Sequence, residues 1–214
     1  SMATPGVTGS SALLYQRYKQ LNGNSNPPSS LIKNILCNAA ADLGNPGPDY
    51  TFGFGRINAL AAVEILEENR YTVNTVATGD FNDATITVPA GAVRLRAMLT
   101  WNDPAGATNA NPALVNNLDL SVINGANTTL PWIMDKDNPG SNATRGIDNY
   151  SNIEQVTLDN PAAGTYTLKV NGTAVAVGPS QQYSLTWIID QQYIRVLYPN
   201  GGENLSPGTN QTIT

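Results

Sequence analysis

The chain has 214 residues, only 13% of them charged, with a formal net charge of −5 and a pI near 4.5. That length allows one or two domains with a real core, and the acidic balance argues against nucleic acid as a partner. With no histidine and one cysteine, Cys37, the chain forms no internal disulfide and offers almost nothing to zinc. No apolar run approaches the roughly 18–20 residues that span a bilayer, so no membrane span is expected.

Residues 1–70 read as helical, with loops between. The first helix is predicted from the opening Ser1-Met2-Ala3-Thr4-Pro5-Gly6 block to about Leu21, with Val7, Leu13, Leu14, Tyr18 and Leu21 forming a broad apolar stripe. Pro5 is tolerated there because an early helical N–H has no intrahelical partner. Ser1 is a candidate N-cap or first-turn residue. Ala3, Gly6 and Gly9 leave a bare face on which another backbone could lie close. A serine at the positive end of such a helix suits a nucleophilic hydroxyl aimed into a cleft.

Asn22 to Pro28 is a stop and loop signal. Ser29 or Ser30 is expected to cap a second helix through Ile32, Ile35, Leu36 and Ala39, with Cys37 a small core residue. After a loop at 44–49 comes Phe52-Gly53-Phe54-Gly55-Arg56-Ile57-Asn58-Ala59. Its glycines permit close backbone approach, and Asn58 caps a third helix through Leu60, Val63 and Leu66.

From about Tyr71 the apolar period shortens to two. Residues 85–88, 93–101, 118–122, 154–158, 165–170 and 183–188 alternate, separated by Gly, Pro, Asn and Asp clusters. That is the pattern of an antiparallel sandwich or jelly roll. Trp101 and Trp187 sit in these strands and read as core, whereas Trp132 follows Pro131 in an irregular stretch and is the one candidate carbohydrate platform.

Ser1-Met2-Ala3-Thr4-Pro5 resembles the block around the catalytic serine of the subtilisin-like serine proteases (subtilases), Gly-Thr-Ser-Met-Ala-x-Pro. Its serine matches Ser1; the preceding Gly-Thr is absent because the chain begins there. The Phe52 to Ala59 segment resembles the Tyr-Gly-x-Gly-x-(Ile/Val)-(Asn/Asp)-Ala stretch that closes the subtilase catalytic domain, with Phe52 in place of the usual tyrosine. Pro161-Ala162-Ala163-Gly164-Thr165-Tyr166 is similar to a signature of sandwich domains appended to subtilases and of the proprotein convertase P domain.

The resemblance covers residues 1 to about 190 and implies an α+β chain. Residues 1–70 would be a helical remnant of an α/β subtilase catalytic domain, and 71–190 an antiparallel β-sandwich or jelly roll. Residues 191–214 read as a linker and the first strand of a truncated Ig-like module.

It further implies that Ser1 is the nucleophile of a serine endopeptidase acting on polypeptides, in a secreted or cell-surface, bacterial setting. The family's aspartate, histidine and oxyanion asparagine precede the serine in sequence. They would lie on an N-terminal part of the catalytic domain that this chain lacks, leaving the chain inactive alone. Two other classes stand beside this one. One is a non-catalytic adhesion or substrate-docking module. The other is an N-terminal-nucleophile hydrolase using the free amine of Ser1, disfavoured because such folds begin with a strand.

Three clusters offer oxygen donors of the kind calcium takes in sets of six to eight. Asp103 ends a strand; Asn117 and Asp119 share one face of a strand, opposite Leu118 and Leu120; Asp148 opens a loop running to Glu154. Asn and Asp also dominate turns through local bonds to backbone, which is the simpler reading for any one of them. Subtilases and their appended sandwiches often bind structural calcium, so the resemblance adds an expectation of at least one such ion among these loops.

Overall fold

A computed structural model describes residues 1–191 together with Tyr198, Gly202, Glu203, Pro207, Gly208, Asn210 and Thr212. The reading of 191–214 as a linker and opening strand lies, beyond Gln191 and those single positions, outside the described residues.

Three helices come first: α1 (Ala3–Leu21), α2 (Ser29–Asn38) and α3 (Ala59–Glu67). Ten strands follow: β1 (Tyr71–Val76), β2 (Phe81–Val88), β3 (Ala92–Trp101), β4 (Asn116–Asn124), β5 (Asn127–Thr129), β6 (Trp132–Ile133), β7 (Thr144–Arg145), β8 (Ile153–Asp159), β9 (Gly164–Val175) and β10 (Gln181–Gln191). Eight of them form two antiparallel four-stranded sheets, ordered β1-β10-β3-β8 and β2-β9-β4-β5, while β6 and β7 pair separately. Each sheet interleaves strands from both halves of the chain. This is the jelly-roll form of the sandwich expected from the sequence.

Alternation sets the inner faces. Leu118, Leu120 and Val122 of β4 and Tyr166, Leu168 and Val170 of β9 meet Leu95, Ala97, Leu99 and Trp101 of β3 and Tyr183 and Leu185 of β10 in one core. Trp101 is buried with its indole N–H donated to the Asn116 carbonyl at 2.9 Å. The opposite face of β10 carries Ser184, Thr186 and Ile188, and all three are buried too. What covers them is the helical segment. Ile188 joins Leu14, Leu31, Ile32, Ile35, Ala62, Ile65 and Leu66 in a second core.

The seam between the helices and this sheet is polar as well as apolar. Asn34 Nδ2 donates to the Met98 and Ser184 carbonyls at 2.8 and 2.9 Å, and Asn38 Nδ2 donates to Thr186 Oγ1 at 2.9 Å. Ser30 and Ser184 share a hydrogen bond through their hydroxyls, and Thr100 Oγ1 donates to the Ser30 carbonyl. The Arg96 guanidinium closes the α2 end by donating to the Asn38 and Ala40 carbonyls. Buried polar groups so satisfied fix the register of α2 on β3 and β10.

Several local expectations change. The broad stripe of α1 is not inward-facing: Leu14 is buried and Tyr18 half-buried, but Val7, Leu13 and Leu21 are exposed. Leu14 and Tyr18 are four residues apart on one face, and only that face reaches the other helices. The residue capping α2 is Pro28, with no side-chain cap, because the Ser30 hydroxyl is engaged across the seam. On α3, Leu60 is exposed and the inward face is Ala62, Ile65 and Leu66. Asn58 does cap α3, its Oδ1 accepting from the Ala61 N–H at 3.1 Å. Cys37 is free and half-buried.

Candidate functional site

Ser1 is exposed and stands before Met2, the residue that caps α1. No acidic side chain occupies the first turn of α1, so the positive end of the helix faces solvent without a counter-charge. Met2 is 96% exposed, and a Cβ built at Gly6 or Gly9 meets no atom within 4 Å. Among the described residues no backbone is therefore laid against the bare face of α1. Further along, the hydroxyls of Thr8, Ser10 and Ser11 donate to the Thr4, Gly6 and Val7 carbonyls four residues back.

The Gly-x-Gly stretch folds back on the end of α2. Ala41 and Arg56 form an antiparallel bridge, and a side chain at Gly55, where φ is +109°, would run into the Ala41 carbonyl. Asp49 Oδ1 accepts from the Thr51 and Phe52 N–H groups at 2.8 and 2.6 Å. The Phe52 N–H is the larger influence holding the Asp49 carboxyl below its ordinary range. Phe52 itself is exposed.

The four oxygen-bearing residues expected as metal ligands fall into different roles. Asp103 clamps the loop before β4: its two carboxylate oxygens accept from the Val115 and Asn116 N–H groups, each at 2.8 Å. Asn117, Asp119 and Asp148 lie together with a fourth residue, Glu154. Asp148 is buried and its Oδ1 accepts from the Tyr150 and Ser151 N–H groups, shaping the loop ahead of β8. Asn117 Nδ2 donates to Asn149 Oδ1 at 2.9 Å, tying that loop to β4. Asp119 Oδ2 accepts from the Thr173 hydroxyl of the neighbouring strand.

Glu154 lies on β8, in one sheet, and its Oε2 accepts from the Leu120 N–H on β4, in the other, at 2.7 Å. It can do so because β5 pairs only with residues 122–124 of β4, leaving the edge at 120 unpaired on that side. Burial is the main force pushing the Glu154 carboxyl well above its ordinary range, and the Asp119 and Asp148 charges add to it. Burial also pushes Asp119 up, opposed by the Thr173 hydrogen bond and aided by Asp148. The role of Glu154 was missed in the sequence, although one signal was there. It shares the parity of Val156 on β8, so it points into the sandwich where an apolar residue is the rule.

Trp132 is no open platform. The Arg145 guanidinium lies 3.5 Å from its ring centroid, the indole N–H donates to Thr157 Oγ1, and the ring packs on Gly47. Burial lowers the Arg145 pKa to about 10. The faces a sugar would need are occupied by the protein's own groups. A cavity of about 300 Å³ adjoins it, lined by Tyr50, Phe54, Trp132 and Tyr150 with Asp135 and Asp148. None of the helices among the described residues is long and apolar enough to cross a membrane.

The subtilase family model matches residues 1–55, a span that opens on Ser1 and closes at Gly55. Over 206 residues the chain is 26% identical to a serine protease/ABC transporter B family protein, tagA, of Dictyostelium discoideum, covering 86% of this chain and 12% of that protein. Over 63 residues it is 38% identical to an extracellular serine protease of Serratia marcescens, covering 29% of this chain and 6% of that protein. The chain thus spans a small part of the length of each of these relatives. Among solved structures it is partly similar to the pre-peptidase C-terminal domain of a Bacillus anthracis collagenase. That likeness has a TM-score of 0.35 at 14% identity, over 55% of this chain and 87% of the other. Residues 1–55 are a subtilase-like segment, and the chain resembles a fragment of a serine protease.

Proposed function

We propose that this chain is the nucleophile-bearing part of a secreted subtilisin-like serine endopeptidase, with Ser1 as the residue that attacks the scissile carbonyl. The observation that carries this reading is the family match beginning at Ser1. A serine hydroxyl becomes a nucleophile when an imidazole takes its proton and a carboxylate orients that imidazole. The chain contains no histidine. The base is therefore supplied from outside this chain, and the resemblance implies that it, its orienting aspartate and the oxyanion asparagine lie on a catalytic-domain portion N-terminal to Ser1, which would be the partner this segment needs.

The exposed position of Ser1 ahead of α1 supports the assignment. The backbone N–H of Ser1 and the uncompensated positive end of α1 would stabilise an oxyanion as the tetrahedral intermediate forms. The jelly roll would brace the catalytic domain through α2, whose buried asparagines lock onto β3 and β10. Secretion is supported by the likeness to an extracellular serine protease.

The chain alone is expected to show no turnover of casein or of a fluorogenic peptide. Combined with the N-terminal catalytic portion it gains turnover, and Ser1→Ala removes at least about 10³-fold of it. Turnover by the pure chain, or activity of the complete enzyme that is indifferent to Ser1→Ala, would overturn the assignment. Indifference with intact folding would favour a non-catalytic docking or adhesion module.

A further inference from the structure

The cavity of about 300 Å³ beside Trp132 is walled by three segments distant in sequence: the 48–54 loop between α2 and α3, residues 132–137, and the 148–155 stretch leading into β8. Its lining is of two kinds. Tyr50, Phe54, Trp132 and Tyr150 give it flat aromatic surface, and Tyr50 and Tyr150 stand open to solvent at 52% and 56% exposure. Asp135, Asp137 and Asp148 set three carboxylates against the single ammonium of Lys136, so negative charge is in excess.

That excess is not neutralised from within. Lys136 Nζ donates to both oxygens of its neighbour Asp137, at 2.7 and 2.8 Å. Asp135 accepts only from neutral donors, the Asp137 and Asn138 N–H groups and Asn138 Nδ2. Asp148 is 5% exposed, and the two N–H groups that reach it, from Tyr150 and Ser151, share Oδ1. Among the described residues no donor reaches its Oδ2, and no lysine or arginine pairs with it. A carboxylate buried this far, with one oxygen unmatched, is costly until a cation completes it. Aromatic walls offer no ligand to a metal ion but a good face to an organic cation. The chain itself shows the fit, since the Arg145 guanidinium already beds on the Trp132 ring.

We propose that this cavity binds the side chain of an arginine on a polypeptide, its guanidinium laid on the aromatic wall and donating to Asp148 Oδ2. A planar, weakly hydrated guanidinium stacks on rings and forks onto a carboxylate, which the compact, strongly hydrated ammonium of lysine does less well. A volume of about 300 Å³ is at the small end for sites that enclose a whole ligand and suits one long side chain entering from the surface. The exposed Asp135 and Asp137 would repel the carboxylate of free arginine, which favours an amide-linked residue. The choice of a polypeptide rests on the proposed function, whereas binding stands whether or not Ser1 is a nucleophile.

The test titrates the ¹⁵N-labelled intact chain with the blocked peptide acetyl-Gly-Arg-Gly-amide and follows NMR shifts. Saturable shifts at the Trp132 indole and the Tyr150 and Ser151 amides are expected, with a Kd on the order of 1 mM. The citrulline peptide, of the same shape but neutral, binds about tenfold more weakly, and the lysine peptide and free arginine about threefold. Asp148→Asn keeps an Oδ1 acceptor for the loop and weakens binding about tenfold, and Tyr150→Ala weakens it about threefold. Asp83→Asn, at an exposed carboxylate of β2, leaves it unchanged. Amide spectra that match the parent away from the cavity show that each variant is folded. The proposal is overturned if no saturable shift appears below about 50 mM peptide. It is overturned equally if the citrulline peptide, the lysine peptide or free arginine binds as tightly, or if folded Asp148→Asn binds like the parent. Any of these failures leaves the assignment of Ser1 untouched, because the assay reads binding and not turnover.

Discussion

Along β10 every residue from Tyr183 to Thr186 is buried, on alternate faces, whereas nineteen-residue α1 buries Leu14 alone. β10 has the sandwich core under one face and α2 over the other. Among the described residues α1 has neighbours on one side only, and its outward face presents Val7, Leu13 and Leu21 to solvent. The same region exposes Phe52 and Leu60. The contrast separates a sheet covered on both faces from a helical layer that packs on the jelly roll on one flank and presents apolar surface on the other. Single exposed apolar residues are ordinary, and here they are concentrated on the helices and their loops rather than on the sheets.

The contrast is most sharply tested by paired truncations. Leu168→Ala, in the jelly-roll core, should cost about 4 kcal/mol in a denaturant melt. Leu13→Ala, 65% exposed on α1, should change stability by no more than about 0.5 kcal/mol. Comparable losses would mean that α1 is packed in solution in a way its exposure here does not reveal.

Next in size is the seam. Asn34→Leu keeps a branched side chain of similar shape but removes the bonds to the Met98 and Ser184 carbonyls and leaves the buried Thr186 hydroxyl without its acceptor, at a cost of about 3 kcal/mol. Hydrogen exchange should then show α2 opening before the jelly roll; uniform destabilisation of both would contradict a seam that couples two unequal layers.

The smallest effect concerns Cys37. Burial pushes its thiol up, so less of it is thiolate at pH 8 than in a solvent-exposed cysteine. Alkylation by iodoacetamide should be slower than for a free thiol and should speed up in Asn34→Leu, where α2 loosens. Equal rates in the parent and the variant would show that α2 is held independently of Asn34.

Much of this fold was legible in the sequence because period is a local property. The six alternating runs became β2, β3, β4, β8, β9 and β10, and Asn58 announced its helix as a cap should. What stayed hidden depends on neighbours distant in sequence. Nothing around Asn34 or Asn38 reveals that their amides will meet carbonyls 64 to 150 residues away. The five apolar positions of α1 gave no way to tell an inward face from one awaiting another layer. β1 was overlooked because it does not alternate clearly; its burial pattern follows from its place at the sheet edge. At the acidic site, Asn117, Asp119 and Asp148 stood out as donors, but Asp103 looked equivalent until its two oxygens were seen to clamp backbone amides.

The role of Ser1 is open to a single direct measurement. The enzyme made complete by the N-terminal catalytic portion is treated with a fluorophosphonate, and the adduct is mapped by mass spectrometry. A phosphonylated Ser1, absent when the histidine-bearing portion is withheld, is the result expected. An adduct on any other residue, or labelling of Ser1 in the chain by itself at the same rate, would contradict it.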